Sequence, residues 1–242
     1  MGDLLQIERI GKRFRGLNAL DNVSFGVEEG GVFGIIGANG AGKTTLFNII
    51  CGAMKPDSGT VHFAGVDITG QAPSRLCIAG IGRTFQIARP FPDLTVLETI
   101  RVAVLSRVHA MRAATERAVA IAHRFGLAEQ LNRRGRHLNV IERKRLELAR
   151  AYATAPRLLL LDEVAAGLRP SEVEVFVEIV RSLASESMTV LMIEHVLAAV
   201  FVLARRVVVL DQGKTIADGT PQAVAADPKV IEAYLGAGYA AP

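Results

Sequence analysis

Cysteine is scarce in this chain: Cys51 and Cys77 are the only two in 242 residues, and they show no metal-ligand spacing. Both read as reduced packing residues, the usage expected of a cytosolic protein that needs no disulfide frame. Long apolar runs are missing as well. Half of the residues are hydrophobic, yet the longest apolar stretch, residues 196–204, is cut off by Arg205-Arg206, well short of the ~20 residues that cross a bilayer. The first residues carry no signal-type pattern. These absences argue against a membrane-spanning or disulfide-stapled secreted chain. A chain this apolar without a span is expected to dock one face on a partner, a membrane-embedded protein being one candidate.

Strong charge of one sign is also lacking, the formal net charge being +4. One stretch is locally basic: Arg133, Arg134, Arg136, Arg143, Lys144, Arg145 and Arg150. It holds no aromatic residue on which a base would stack, so a solvated helix face is expected there and no nucleic-acid partner. Sustained heptads, internal repeats and low-complexity segments are absent.

What is present is a complete phosphate-binding loop. Gly37-Ala38-Asn39-Gly40-Ala41-Gly42-Lys43-Thr44 follows a buried-strand pattern over residues 32–36 and opens a helix at Thr45. Glycines let backbone N–H groups close around phosphate oxygens, Lys43 brings positive charge to the outer phosphates, and the Thr44 hydroxyl suits a magnesium ion. The helix beyond points its positive end at the anion. Residues 37–45 are therefore the expected binding set for a nucleoside triphosphate with Mg2+.

The second site is Leu158-Leu159-Leu160-Leu161-Asp162-Glu163, an apolar strand that delivers two carboxylates at its C-terminal end, where ligands of open α/β sheets lie. Asp162 is placed to hold the magnesium shell, and Glu163 to orient an attacking water. His195, after the apolar run 190–193, is assigned a contact to the γ-phosphate.

The pattern along the chain predicts strands at 4–7, 23–27, 61–63, 158–161, 190–193, 207–210 and 215–217, the last two flanking the hairpin signal Asp211-Gln212-Gly213-Lys214. A mostly helical region is expected over about 74–153, with capping boxes at Thr95-Val96-Leu97-Glu98 and Asn139-Val140-Ile141-Glu142 and a stop at Gly126. A helix over 170–183 completes the list.

In this order the pieces resemble the ATP-binding-cassette transporter ATPases over nearly the whole chain. Residues 37–44 match their Walker A motif, Gln86 in Gly82-Arg83-Thr84-Phe85-Gln86 the Q-loop, 158–163 the Walker B motif with its glutamate, and His195 the switch histidine. The resemblance implies an α/β fold: a RecA-like P-loop NTPase core with a mainly parallel sheet, an antiparallel β subdomain, and a helical subdomain at 87–153 inserted between core segments 1–86 and 154–242. It implies catalytic roles for Glu163, His195, Lys43 and Gln86, metal contacts from Thr44, Gln86 and Asp162, and Phe14 against adenine, with ATP and Mg2+ bound. Residues 82–98, 145–150, 165–168, 217–221 and 233–236 look like the subfamily serving branched-chain amino-acid importers. In that subfamily Ile87, Pro90, Phe91 and Leu94 would line a groove for a membrane permease subunit. A peripheral position on the cytoplasmic face of the plasma membrane follows, with an indirect link to a periplasmic binding protein.

Two elements depart from the family. The signature, of the LSGGQ type, aligns with Leu138-Asn139-Val140-Ile141-Glu142, so that Ile141 replaces the fourth-position glycine and is expected to crowd the γ-phosphate of the facing subunit's ATP. Asn139, in place of the serine, still suits a helix cap. Beyond the acid pair, Val164 stands for the usual proline and Arg169 for the usual Asp or Asn. Residues acting on the chain's own ATP are intact while those lent to a neighbour are altered, which favours a heterodimer with a second cassette. The alternative is a cassette that binds ATP but hydrolyses it weakly or not at all, as a regulatory module. A chromosome or DNA-repair ATPase would need a long coiled-coil insertion, and the span from Gln86 to Leu138 has no room for one.

Overall fold

The structure is a computed structural model that describes residues 2–84, 91–185, 188–194 and 196–235. Strands β1 (Leu5–Phe14) and β2 (Leu17–Val27) form a hairpin around Arg15 and Gly16, both at positive φ as a tight two-residue turn requires. The apolar runs at 4–7 and 23–27 are only its buried halves. Between them polar residues continue the pairing through backbone hydrogen bonds, with register shifts at Ile7/Ile10 and Ile10/Lys12, so side-chain patterning alone undercounts the strands. β3 (Gly31–Ile36) leads through the phosphate loop into α1 (Lys43–Ile50). β4 (Ser58–Phe63) and β5 (Val66–Asp67) then join the hairpin in a four-stranded antiparallel sheet of order β2-β1-β4-β5.

After α2 (Pro73–Ala79) comes β6 (Ile81–Arg83), a strand inside the region expected to be helical. Three residues are too few for a period-2 pattern. Its place is set by parallel pairing with a strand more than seventy residues later, and Gly82 allows the approach: a Cβ there would lie 3.1 Å from Pro156 and 3.2 Å from the Ala151 carbonyl. Three helices follow, α3 (Val96–Val104), α4 (Met111–Arg124) and α5 (Val140–Ala153), packed on one another. Both expected capping boxes form at the starts of α3 and α5.

The remaining elements are β7 (Leu158–Asp162), α6 (Pro170–Ser185), β8 (Thr189–Ile193), α7 (Leu197–Leu203), β9 (Arg206–Asp211), β10 (Lys214–Gly219), α8 (Pro221–Ala225) and α9 (Pro228–Leu235). Gln212 and Gly213 take positive φ in the β9–β10 turn, as the hairpin signal predicts. The second sheet has order β10-β9-β3-β8-β7-β6, parallel except for β10.

Alternate residues of that sheet enter two separate cores. Phe33, Ile35, Leu158, Leu160 and Leu191 face α1 and the antiparallel sheet, whereas Val32, Ile36, Leu159, Leu161 and Met192 face α6, α7 and the three-helix insertion. Continuous apolar runs are what a sheet covered on both faces demands. The consequence for the site is geometric: the C-terminal ends of β3, β8, β7 and β6 lie side by side along one edge. Among the described residues, no helix is long and apolar enough to cross a membrane.

The basic stretch is exposed at Arg133, Arg134, Arg136 and Arg143, as expected, and several of its cations are also paired within the chain. Arg133 pairs with Glu142 at 2.9 Å, Arg136 with Asp93 at 2.7 Å and Arg150 with the buried Glu147 at 2.6 Å, while Arg143 donates to the Leu138 carbonyl. Its charge is largely spent on intramolecular partners.

Candidate active site

The loop between β3 and α1 turns on glycines that nothing else can replace. Gly42 holds φ at 103°, and a Cβ there would meet the Ala19 carbonyl at 2.4 Å; at Gly37 it would meet the Leu210 carbonyl at 2.1 Å. Lys43 is buried, its ammonium donating to the carbonyls of Gly37 at 2.7 Å and Ala38 at 2.9 Å. Burial lowers its pKa, and the negative charge of Glu163 partly opposes that shift. Thr44 stands exposed at the mouth. A cleft of about 800 Å³ opens over the loop, lined among others by Phe14, Asn39, Gly40, Thr45 and Glu163. Phe14 is 42% exposed at its rim with the Lys12 ammonium 5.8 Å from the ring centroid, so an aromatic face is available to a nucleobase.

At the end of β7, Asp162 and Glu163 are both buried. Asp162 Oδ2 accepts a hydrogen bond from Arg83 Nη2 at 2.7 Å, and Arg83 Nη1 donates to Asn48 Oδ1 of α1 and to Cys51 Sγ, each at 2.8 Å. The other carboxylate oxygen, Oδ1, is buried without a hydrogen-bond partner among the described residues. An unpartnered carboxylate oxygen, together with the Thr44 hydroxyl, fits Mg2+, a hard cation that takes one or two protein oxygens and fills its shell with water and phosphate. The same residues form no cluster of three metal ligands among those described, which is also how such a site differs from an all-protein cage.

Glu163 adopts φ of 49°, a left-handed conformation uncommon for a side chain of this kind. Its N–H donates to the Ile193 carbonyl at 2.9 Å, so the residue is pinned against the end of β8. Just beyond, Glu194 turns its carboxylate inward: Oε1 accepts from the Ala165 N–H at 2.8 Å, and Oε2 is buried with no hydrogen-bond partner among the described residues. Desolvation raises the Glu194 pKa to about 7 against the lowering effect of the Ala165 N–H and of Lys144. Lys144, from α5, donates to the carbonyls of Val164 and Ala166, both at 2.6 Å, and its pKa is lowered by burial.

At the start of α5, Asn139 Oδ1 accepts from the Glu142 N–H and the Glu142 carboxylate accepts from the Asn139 N–H, both at 2.9 Å. Ile141 does not stand out from the helix. It is half-buried and lines a small apolar cavity with Leu148, Val164, Leu168 and Phe176, because positions 141, 144, 145 and 148 share the face turned to α6. The side chain left 57% exposed at that tip is Val140. Arg169 pairs with Glu172 in the first turn of α6 at 2.7 Å.

The structure thus brings Phe14, residues 37–45, Asp162 and Glu163 around one cleft or its floor. Gln86 and His195 lie outside the described residues, as do Ile87 and Pro90. Sequence reasoning assigned no role at the site to Arg83, Lys144 or Glu194, or to Tyr234, whose pKa is raised by desolvation against the lowering effect of the Gly37 backbone. For Arg83 the usable signal was its place at the end of a short apolar pair leading to the Q-loop; the other three offered none.

An antiparallel sheet over the phosphate loop, with three helices inserted between that loop and the acid pair, is the plan of an ATP-binding cassette. A sequence profile described as ABC transporter matches residues 20–166, and one described as branched-chain amino acid ATP-binding cassette transporter matches residues 214–240. The chain is 36% identical to the high-affinity branched-chain amino acid transport ATP-binding protein LivG of Salmonella typhimurium, covering 96% of this chain and 98% of that one. It is 37% identical to BraF of Pseudomonas aeruginosa, described in the same words, with the same coverage. Among solved structures, the ADP conformation of MJ1267, an ATP-binding cassette of an ABC transporter, superposes with a TM-score of 0.88 at 34% identity, over 98% of this chain and 100% of that one. The chain belongs to the ABC transporter family, as an ATPase subunit coupled to transport.

Proposed function

We propose that this chain hydrolyses Mg-ATP to drive a membrane importer of branched-chain or other hydrophobic amino acids, from the cytoplasmic face of the plasma membrane. The observation that carries the hydrolytic part is the convergence of Lys43 and Glu163 on one water-accessible cleft, with Glu163 buried and fixed in an unusual backbone conformation. The transported solute follows from similarity to relatives so described.

In this reading the adenine rests on Phe14 and the phosphates enter residues 37–45. Thr44, Asp162 and Gln86 would hold Mg2+, which would supply positive charge to the outer phosphates. Glu163 accepts a proton from the attacking water as its oxygen bonds to the γ-phosphorus, and the bond to the departing ADP oxygen breaks. Lys43 and His195 stabilise the charge on the transferred group. Lys43 leaves the carbonyls of Gly37 and Ala38 to do so.

A second cassette and two permease subunits complete the machine, and a periplasmic binding protein delivers the solute. A permease helix would dock near Phe91, whose exposed ring lies 5.7 Å from the Arg150 guanidinium; Arg150 also borders a groove of about 240 Å³ with Leu76 and Cys77. A heterodimer is favoured because the α5 tip carries its own carboxylate, Glu142, and an exposed valine where a partner's phosphate would approach. A site closed by it should turn over about 10² to 10³ times more slowly. The test is ATPase activity of the chain reconstituted with its natural partner and permeases. Glu163→Gln should cut coupled turnover to a small residual rate, and the matching variant of the partner should cost far less; full turnover in Glu163→Gln refutes the hydrolytic assignment, and equal losses refute the asymmetry.

A further inference from the structure

A left-handed conformation at a glutamate is strained and persists only where its surroundings over-determine it. Here the surroundings come from two directions. From β8, the Glu194 carboxylate grips the Ala165 N–H at 2.8 Å and the Ile193 carbonyl grips the N–H of Glu163. From α5, the Lys144 ammonium grips the carbonyls of Val164 and Ala166. The backbone from 163 to 166 is therefore held on its donor side by the buried Glu194 carboxyl and on its acceptor side by the half-buried Lys144 ammonium. Inside the loop, the Ala166 N–H bonds back to the Glu163 carbonyl at 3.2 Å, passing the constraint to the glutamate itself.

The two family departures in this region fall on the same structure. Ile141 and Val164 line one apolar cavity with Lys144, so the α5 face that carries the ammonium is packed against the loop it grips. Proline, the usual residue after the glutamate, restricts its neighbours' backbone by covalent geometry. Valine does not, and the polar grip stands in its place.

We propose that Lys144 and Glu194 form a clasp that holds Glu163 in its working position, making both of them positioning residues for hydrolysis. The inference rests on the reading of Glu163 as the group that orients the water. Lys144 belongs to α5, whose tip would face the neighbouring cassette's nucleotide in the proposed dimer, so the clasp also joins that tip to this chain's own carboxylate. A shift of α5 is passed to Glu163 through two hydrogen bonds.

Misplacing a catalytic group by about 1 Å costs up to about 10²-fold. Lys144→Met, which keeps the stem and removes both hydrogen bonds, should lower kcat of the reconstituted complex by about tenfold to a hundredfold and leave KM for Mg-ATP unchanged. In a Glu163→Gln background the same substitution should change the residual turnover by less than about twofold, because the group it positions is gone. Glu194→Leu, which releases the loop from the other side, should repeat both results. Mg-ATP binding by calorimetry identifies variants that are folded. Wild-type kcat in folded Lys144→Met or Glu194→Leu, or an equal fall with and without Glu163, overturns the clasp alone. Turnover that is indifferent to Glu163 in the wild-type complex overturns the hydrolytic reading and the clasp with it.

Discussion

Arg83 Nη2 and Asp162 Oδ2 lie 2.7 Å apart in a pair whose side chains are 11% and 4% exposed. The same guanidinium reaches Asn48 of α1, so one residue at the end of β6 ties the acid strand to the helix that starts at the phosphate loop. It also leaves Asp162 Oδ1 buried with no hydrogen-bond partner among the described residues.

Removing one partner of such a pair leaves a buried charge uncompensated. Arg83→Met should destabilise the nucleotide-free protein by about 3 kcal/mol, lowering Tm by roughly 6 to 12 °C in a chain of this size. It should also raise the Mg2+ concentration needed for half-maximal nucleotide binding, since Asp162 is no longer oriented. Thermal melting and a Mg2+ titration by calorimetry check the two outcomes.

The Glu194 carboxyl gives a pH dependence whose sign follows from its raised pKa of about 7. Unfolded, it loses its proton near the ordinary value of 4.5; folded, it keeps that proton to about pH 7. Between those values the folded state binds more protons, so this group favours folding most at low pH and its contribution is lost as pH rises through 7. The charges facing it are Lys144 from α5 and Glu163 at the end of β7, one favouring ionisation and one opposing it. Glu194→Gln should remove a difference of roughly 3 kcal/mol between pH 4.5 and 8. Urea unfolding of both proteins across that range measures it, and parallel curves would contradict it.

Restoring the family glycine at Ile141 should weaken the fold. The side chain fills space between α5 and α6 beside Val164 and Leu168, and a glycine in the first turn adds backbone freedom to the unfolded state. Ile141→Gly should cost about 2 kcal/mol, read by denaturant unfolding. Any gain in turnover at the partner's site would then come from opening the backbone of the tip, with Val140 still beside it.

Much of this was legible beforehand. The phosphate loop, the acid pair and both capping boxes depend on residues within a few positions of one another, so local sequence carries them. Strand β6 escaped because its identity lies in pairing with Leu158, Leu159 and Leu160, far along the chain. Arg83, Lys144 and Glu194 escaped for the same reason, since their partners are between 20 and 79 positions away. The sequence places Ile141 at the fourth position of the signature, but the side it faces is set by helix phase against α6, which only the packing of two helices decides. The ion pairs of the basic stretch escaped because their acidic partners Asp93 and Glu142 sit in a loop and a cap rather than at regular helical spacing.

The ammonium of Lys43, seated on the carbonyls of Gly37 and Ala38, gives the loop an internal tether of its own. An arriving triphosphate therefore meets a loop already tethered from within and offers phosphate oxygens in exchange for the two carbonyls around the same cation. Association should then be governed by how fast the nucleotide finds the cleft, with little ordering of the chain left to follow.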